Sequence, residues 1–150
     1  MVDKYGTGTD PDCYPNSETL KNLLNIKDAQ RLAQAERGIT ELSATEIDFT
    51  HPPYNLQYLQ TIHRTLFQDI YSWAGQLRHI DVAKGNTRFC NWTRVQPEAD
   101  KLFDGLAKQQ YFVELGRASL IGALAELYGE LNVVHPFREA MSQLSVAIHG

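Results

Sequence analysis

Apolar residues along this chain recur mostly at spacings of three and four, the period of an α-helix with one buried face. The clearest run is Leu56, Leu59, Ile62, Leu66, Ile70 and Trp73, with Gln57, Gln60, Arg64 and Gln68 on the other faces. It predicts an amphipathic helix ended by Gly75, a residue type that readily takes the left-handed conformation of a helix stop. An earlier helix is predicted from near Asp28 through Ala29, Leu32, Ala33 and Ala35, which Gly38 weakens without ending. Between the two, His51-Pro52-Pro53 breaks the pattern, since proline lacks a donor and restricts its predecessor. After Pro97 the period returns, first in Ala99, Leu102, Phe103 and Leu106, then in Leu120, Ala123, Leu124, Leu127, Tyr128 and Leu131. Met141, Leu144, Ala147 and Ile148 predict the start of a truncated C-terminal helix. Ser17-Glu18-Thr19-Leu20 reads as the cap of a short helix bearing Leu20, Leu23 and Leu24.

Two stretches depart from this period. Residues 1 to about 17 carry Gly6, Gly8, Pro11 and Pro15 among Asp, Thr and Asn, which predicts an irregular arm. Over Leu77–Ala83 the β-branched Ile80 and Val82 alternate with polar neighbours, and Lys84-Gly85-Asn86-Thr87 reads as a turn. Arg88–Trp92 is the predicted return strand, giving a β-hairpin over about 78–92. Two strands alone are marginally stable, so the hairpin must lean on helices.

The 150 residues suit a single domain with one core, and an apolar fraction of 43% supports a globular fold. A net charge of -4 gives no reason to expect nucleic acid as a direct substrate or an anionic membrane as partner. No run of about 18 apolar residues predicts a spanning helix, and the first residues lack the basic-then-apolar pattern of a signal peptide. Cys13 and Cys90 are far apart and lack CxxC spacing, which suits a reduced, cytoplasmic protein with both cysteines as ordinary small apolar residues.

The chemistry concentrates at Val134-His135-Pro136-Phe137-Arg138-Glu139, a predicted active-site loop over 135–139 between helices. Histidine is the residue type that commonly serves as the base for a hydroxyl, which makes His135 the candidate. Glu139 offers the oxygen ligand that Mg²⁺ prefers in phosphate company. Phe137 is the expected inward-facing anchor. From the residues alone, a histidine in a loop is more often structural than catalytic.

The blocks Tyr58-Leu59-Gln60-Thr61-Ile62-His63-Arg64, Phe67-Gln68-Asp69-Ile70-Tyr71-Ser72-Trp73-Ala74-Gly75, Lys84-Gly85-Asn86-Thr87-Arg88-Phe89-Cys90 and Asn132-Val133-Val134-His135-Pro136-Phe137-Arg138-Glu139 resemble, in this order, the Fic domain family. The arm around Tyr5-Gly6-Thr7-Gly8-Thr9-Asp10-Pro11 extends the resemblance over essentially the whole chain. It implies an all-α fold with one short β-hairpin flap, and transfer of AMP from ATP to a hydroxyl side chain of a target protein. In that family reading His135 takes the proton from the target Ser, Thr or Tyr, and Glu139 holds Mg²⁺ on the ATP phosphates. The flap residues Lys84, Gly85, Asn86 and Thr87 line the nucleotide pocket and register the target by strand addition. The family also implies a bacterial protein of toxin–antitoxin type.

The family motif continues after the acid as Gly-Asn-Gly-Arg-x-x-Arg, whose backbone N–H groups and guanidiniums surround phosphates. Here Ala140-Met141-Ser142-Gln143-Leu144 follows instead. Either these residues replace the motif one for one, or the phosphate segment is deleted and Ala140 onward is the next helix. The spacing of Met141, Leu144, Ala147 and Ile148 favours deletion. In both cases the expected consequence is an inactive or severely impaired copy, since one transition-state donor alone is worth on the order of 10²–10³ in rate. Many Fic domains are held off by a helix bearing Ser/Thr-x-x-x-Glu-Gly/Asn, and no Glu of this chain is followed by Gly or Asn. Inhibition, if it occurs, is therefore expected from a separate small antitoxin-like protein or from a missing C-terminal part.

Other polar candidates read as structural. His63 lies one position off the apolar stripe, and His51 and His79 have no partner at metal-ligand spacing. Asp81 and Glu130 suit solvated positions, and Trp73 and Trp92 suit the core, with Trp92 near the flap. Two alternatives to adenylyl transfer stand beside it: a non-enzymatic Fic-like protein-binding module, and a relative that moves another phosphorylated group.

Overall fold

The computed structural model describes residues 4–5, 11–47, 54–84, 87–112 and 117–138. Four helices carry the fold: α1 (Ala29–Ala44), α2 (Leu56–Phe67), α3 (Val95–Lys108) and α4 (Arg117–Val134). Three short strands, β1 (Lys4–Tyr5), β2 (Val82–Lys84) and β3 (Thr87–Arg88), form an antiparallel sheet in the order β1-β2-β3. This is the helical architecture with a β-hairpin flap that the sequence predicted.

α1 and α2 begin where a side chain satisfies one of their first N–H groups. Asp28 Oδ2 accepts from Arg31 N at 3.1 Å to start α1, and Asn55 Oδ1 accepts from Tyr58 N at 2.9 Å to start α2. α3 begins at Val95, two residues ahead of Pro97, because proline is tolerated in the first turn. The predicted stripe of α2 is the centre of the core: Leu56, Leu59, Ile62, Leu66 and Phe67 are buried, with Leu32, Val95, Ala99, Leu131, Val134 and Phe137 around them. Each such side chain contributes roughly 1.5–3 kcal/mol by leaving water.

Several expectations are corrected. α2 ends at Phe67, not Gly75; residues 68–75 turn back along the helix, and Ile70 stays buried within the turns. Gly75, at φ +83°, lies so close to α2 that a Cβ there would sit 2.9 Å from Arg64 Cβ and 3.0 Å from the Gln60 carbonyl oxygen. Ser17–Leu20 is not a helix start. Asn16 takes φ +57°, Ser17 Oγ donates to the Tyr14 carbonyl at 2.9 Å, and Cys13 pairs with Leu20 as an antiparallel bridge. The tight turn buries Leu20 and leaves Leu23 exposed.

The arm is not wholly irregular, since Lys4 and Tyr5 pair with Ala83 and Val82. The hairpin is shorter and later than expected: Leu77–Asp81 is not strand, and the return strand stops at Arg88. Arg78 is drawn inward to other partners, and Trp92–Arg94 is a 3-10 turn whose preceding Asn91 Oδ1 accepts from Thr93 N at 3.0 Å. The predicted C-terminal helix from Met141 lies outside the described residues.

Candidate active site

The His135 loop forms where α4 must stop. His135 N still donates to the Leu131 carbonyl at 2.8 Å, the last helical bond, and His135 then takes φ +49°. That left-handed residue turns the chain, and Pro136 cannot continue a helix. Phe137 therefore points back into the core, where it is fully buried and stacks on His63 with centroids 4.0 Å apart and planes at 17°.

His63 is itself buried in α2, not on its surface. Its Nδ1 accepts from Gly75 N at 2.9 Å, so a neutral ring carries its proton on Nε2. The ring continues a column of aromatics: Trp73 lies 6.0 Å from His63, Tyr71 lies 4.5 Å from Trp73, and the Tyr71 hydroxyl donates to Glu36 Oε1. Burial pushes the Glu36 carboxyl above its ordinary range, and the Tyr71 hydrogen bond partly opposes this.

His135 is buried, with its imidazole nearly parallel to Phe89 at 4.2 Å and 10°. Phe89 belongs to the flap exit, where its N–H donates to the Val82 carbonyl at 3.2 Å. A second flap fastening runs from Cys90 N to the Val133 carbonyl at 3.1 Å.

Arg78 holds these pieces together, and sequence reasoning missed it. It is buried, with Nε donating to the His135 carbonyl at 2.7 Å and Nη1 to the Ile80 carbonyl at 2.7 Å. Its Nη2 donates to the Val134 carbonyl at 3.0 Å and to the Cys90 carbonyl. Arg78 N donates to the Pro136 carbonyl at 3.0 Å. The carbonyl end of α4 carries partial negative charge, which favours a cation there. Behind the loop, Arg138 is buried and its Nε reaches Asp12 Oδ2 at 3.4 Å, tying the arm to the site.

Of the other predicted residues, Lys84 and Thr87 are paired backbone positions of β2 and β3. Gly85, Asn86, Glu139 and His51 lie outside the described residues. Among the described residues no three of His, Cys, Asp and Glu gather as a metal-binding group. Asp81 is exposed, as expected, and accepts from Trp92 N at 2.8 Å and Asn91 Nδ2 at 3.1 Å, which secures the turn after the flap. Trp92 is 43% exposed rather than core. His79 is exposed and meets the Trp92 ring edge-on. Glu130 is exposed and lines a cleft of about 310 Å³ between α3 and α4, away from every predicted site residue. Cys13 is core, whereas Cys90 is half-buried, and burial pushes its thiol up.

The Fic/DOC family pattern matches residues 53–141, a stretch that holds α2, the flap and the His135 loop. The chain belongs to the Fic/DOC family. This Fic domain is 44% identical over 138 residues to the probable protein adenylyltransferase Fic of Escherichia coli, a match covering 92% of this chain and 69% of the relative. It is 33% identical to the protein adenylyltransferase VbhT of Bartonella schoenbuchensis over 91% of this chain, which spans 29% of that longer protein. Among solved structures it is similar to the N-terminal Fic domain of a VirB-translocated Bep effector protein from Bartonella quintana, determined with bound ADP. That likeness has a TM-score of 0.73 and 27% identity, covering 91% of this chain and 75% of the other. No helix among the described residues of the Fic domain is long and apolar enough to cross a membrane.

Proposed function

We propose that this chain is a Fic-type protein adenylyltransferase domain in an inactive or severely impaired copy. The reaction of the intact family site would join a target Ser, Thr or Tyr oxygen to the α-phosphorus of ATP and release pyrophosphate. His135 would take the hydroxyl proton. The observation that carries the reading is the position of His135 at the end of α4, with its imidazole parallel to the flap ring Phe89 and with Phe137, two residues on, buried against His63. The 44% identity to a probable adenylyltransferase supports it.

Glu139 is the carboxylate that would hold Mg²⁺ with the nucleotide phosphates, a chemistry suited to a hard cation. The residues after it do not fit the phosphates. Ala140-Met141-Ser142-Gln143 offers neither the glycines nor the arginine of a phosphate nest. The flap turn Lys84-Gly85-Asn86-Thr87 is the segment that would face nucleotide and target, and a bacterial cytoplasm with a small antitoxin-like inhibitor is the setting this reading expects.

Labelled ATP with Mg²⁺ tests both halves. The chain as given should label neither itself nor a target. Insertion of Gly-Asn-Gly-Arg after Glu139 should restore nucleotide binding and labelling, and His135→Ala should abolish the labelling again. Clear labelling by the unmodified chain would overturn the impairment. A restored chain that binds a protein partner without ever labelling it would favour a non-enzymatic binding module.

A further inference from the structure

Arg78 contacts four points of the chain through one planar group. A guanidinium has five donors in a fixed fork, so its acceptors are held at fixed positions relative to one another. Here the acceptors are the carbonyls of Val134 at the end of α4, His135 itself, Ile80 before the flap and Cys90 after it. Backbone bonds from Arg78 N to Pro136 and from Cys90 N to Val133 close the same junction. Phe89, next to Cys90, is the ring that lies parallel to the His135 imidazole.

We infer that Arg78 is a positioning residue that locks the His135 loop to the base of the flap, so that the imidazole and Phe89 are held as one unit. It acts through the backbone carbonyls of the loop and the flap base. Only the catalytic consequence rests on the adenylyltransferase reading; the coupling is a property of the fold. Lysine keeps the charge at the carbonyl end of α4 but has a single nitrogen, so it cannot span Val134 and His135 on one side and Ile80 and Cys90 on the other.

Arg78→Lys in the full chain is the test, read by NMR of the His135 imidazole and by amide hydrogen exchange. Stacking on Phe89 shifts the imidazole protons upfield. In the variant they should move toward the values of a free imidazole. Exchange at the Cys90 and His135 amides should speed about tenfold more than at Leu59 and Ile62 in α2. Equal acceleration at all four amides, or an unmoved imidazole signal, would make Arg78 a general contributor to stability and overturn the coupling. If Arg78→Lys does not fold, Phe89→Leu is read instead. The imidazole signal must then move while the Cys90 amide keeps its protection, and lost protection with Arg78 intact overturns the inference. In a chain with Gly-Asn-Gly-Arg restored, Arg78→Lys should lower kcat with KM for ATP unchanged. Failure of that restored chain to label anything counts against adenylyl transfer and not against the coupling, which the NMR and exchange results decide.

Discussion

The loop and the flap meet at His135, yet they are held by different means. The loop is built into the core: Phe137 is fully buried on His63, Arg138 is buried against Asp12, and Arg78 grips the carbonyls of Val134 and His135. The flap stands on a three-residue and a two-residue strand with two register pairs between them. Its firm points are at the base, where Arg78 and Asp81 hold the chain before and after the hairpin. Under the proposed function the difference separates two tasks. A proton acceptor gains from a fixed position, because misplacement of a reacting group is costly. A surface that pairs with other chains through its backbone needs only an open strand edge.

Three substitutions probe that contrast. Phe137→Ala strikes the buried side and should be the most damaging, at about 3–5 kcal/mol, the usual cost of removing a fully buried aromatic ring. Chemical denaturation measures it, and a loss below about 1 kcal/mol would mean that the loop is not anchored through the core. Asp81→Ala strikes the flap base. It removes a carboxylate that receives Trp92 N and Asn91 Nδ2, and should cost about 1 kcal/mol, as for a lost helix cap. Amide exchange at Trp92 should accelerate while the α2 amides stay unchanged, and a uniform acceleration would erase the distinction between flap and core.

Glu36→Gln acts at the far end of the aromatic column below the loop. Because burial raises the Glu36 carboxyl above 4.5, the folded chain keeps this proton to higher pH than the unfolded chain does. The associated stability is complete below pH 4.5 and is lost as pH rises through the raised folded value. Glutamine still accepts from Tyr71 but does not ionise. The variant should be more stable at neutral pH by about 1 kcal/mol or less, with a flatter pH dependence of the urea midpoint above 4.5. An unchanged pH dependence would show that Glu36 ionises without cost.

The parts legible in the sequence were those fixed by local chemistry. The Asp28 start of α1 and the buried stripe of α2 follow from a capping side chain and a repeat of three and four. His135 and Phe137 stood out because a compact motif carries them. The misses share a different cause. Ser17-Glu18-Thr19-Leu20 carries a helix-start pattern, but the Tyr14–Asn16 turn and the Cys13–Leu20 bridge use those residues otherwise. Leu77–Asp81 alternates like a strand, yet Arg78 is claimed by carbonyls 56 and 57 residues away. No local pattern announces an arginine whose partners are backbone atoms of a distant helix end. The pairing of Lys4 and Tyr5 with β2 was hidden for the same reason.

The Asp12–Arg138 contact joins residues 126 apart in the chain. The entropy of closing a loop grows with its length, and contacts between distant residues slow folding. α1 and α2 can form from neighbouring residues, but this fastening requires nearly the whole described sequence to be in place. During synthesis Asp12 emerges before the four helices and must wait for Arg138. Among the described elements, the wall behind the proposed catalytic histidine is thus one that closes late.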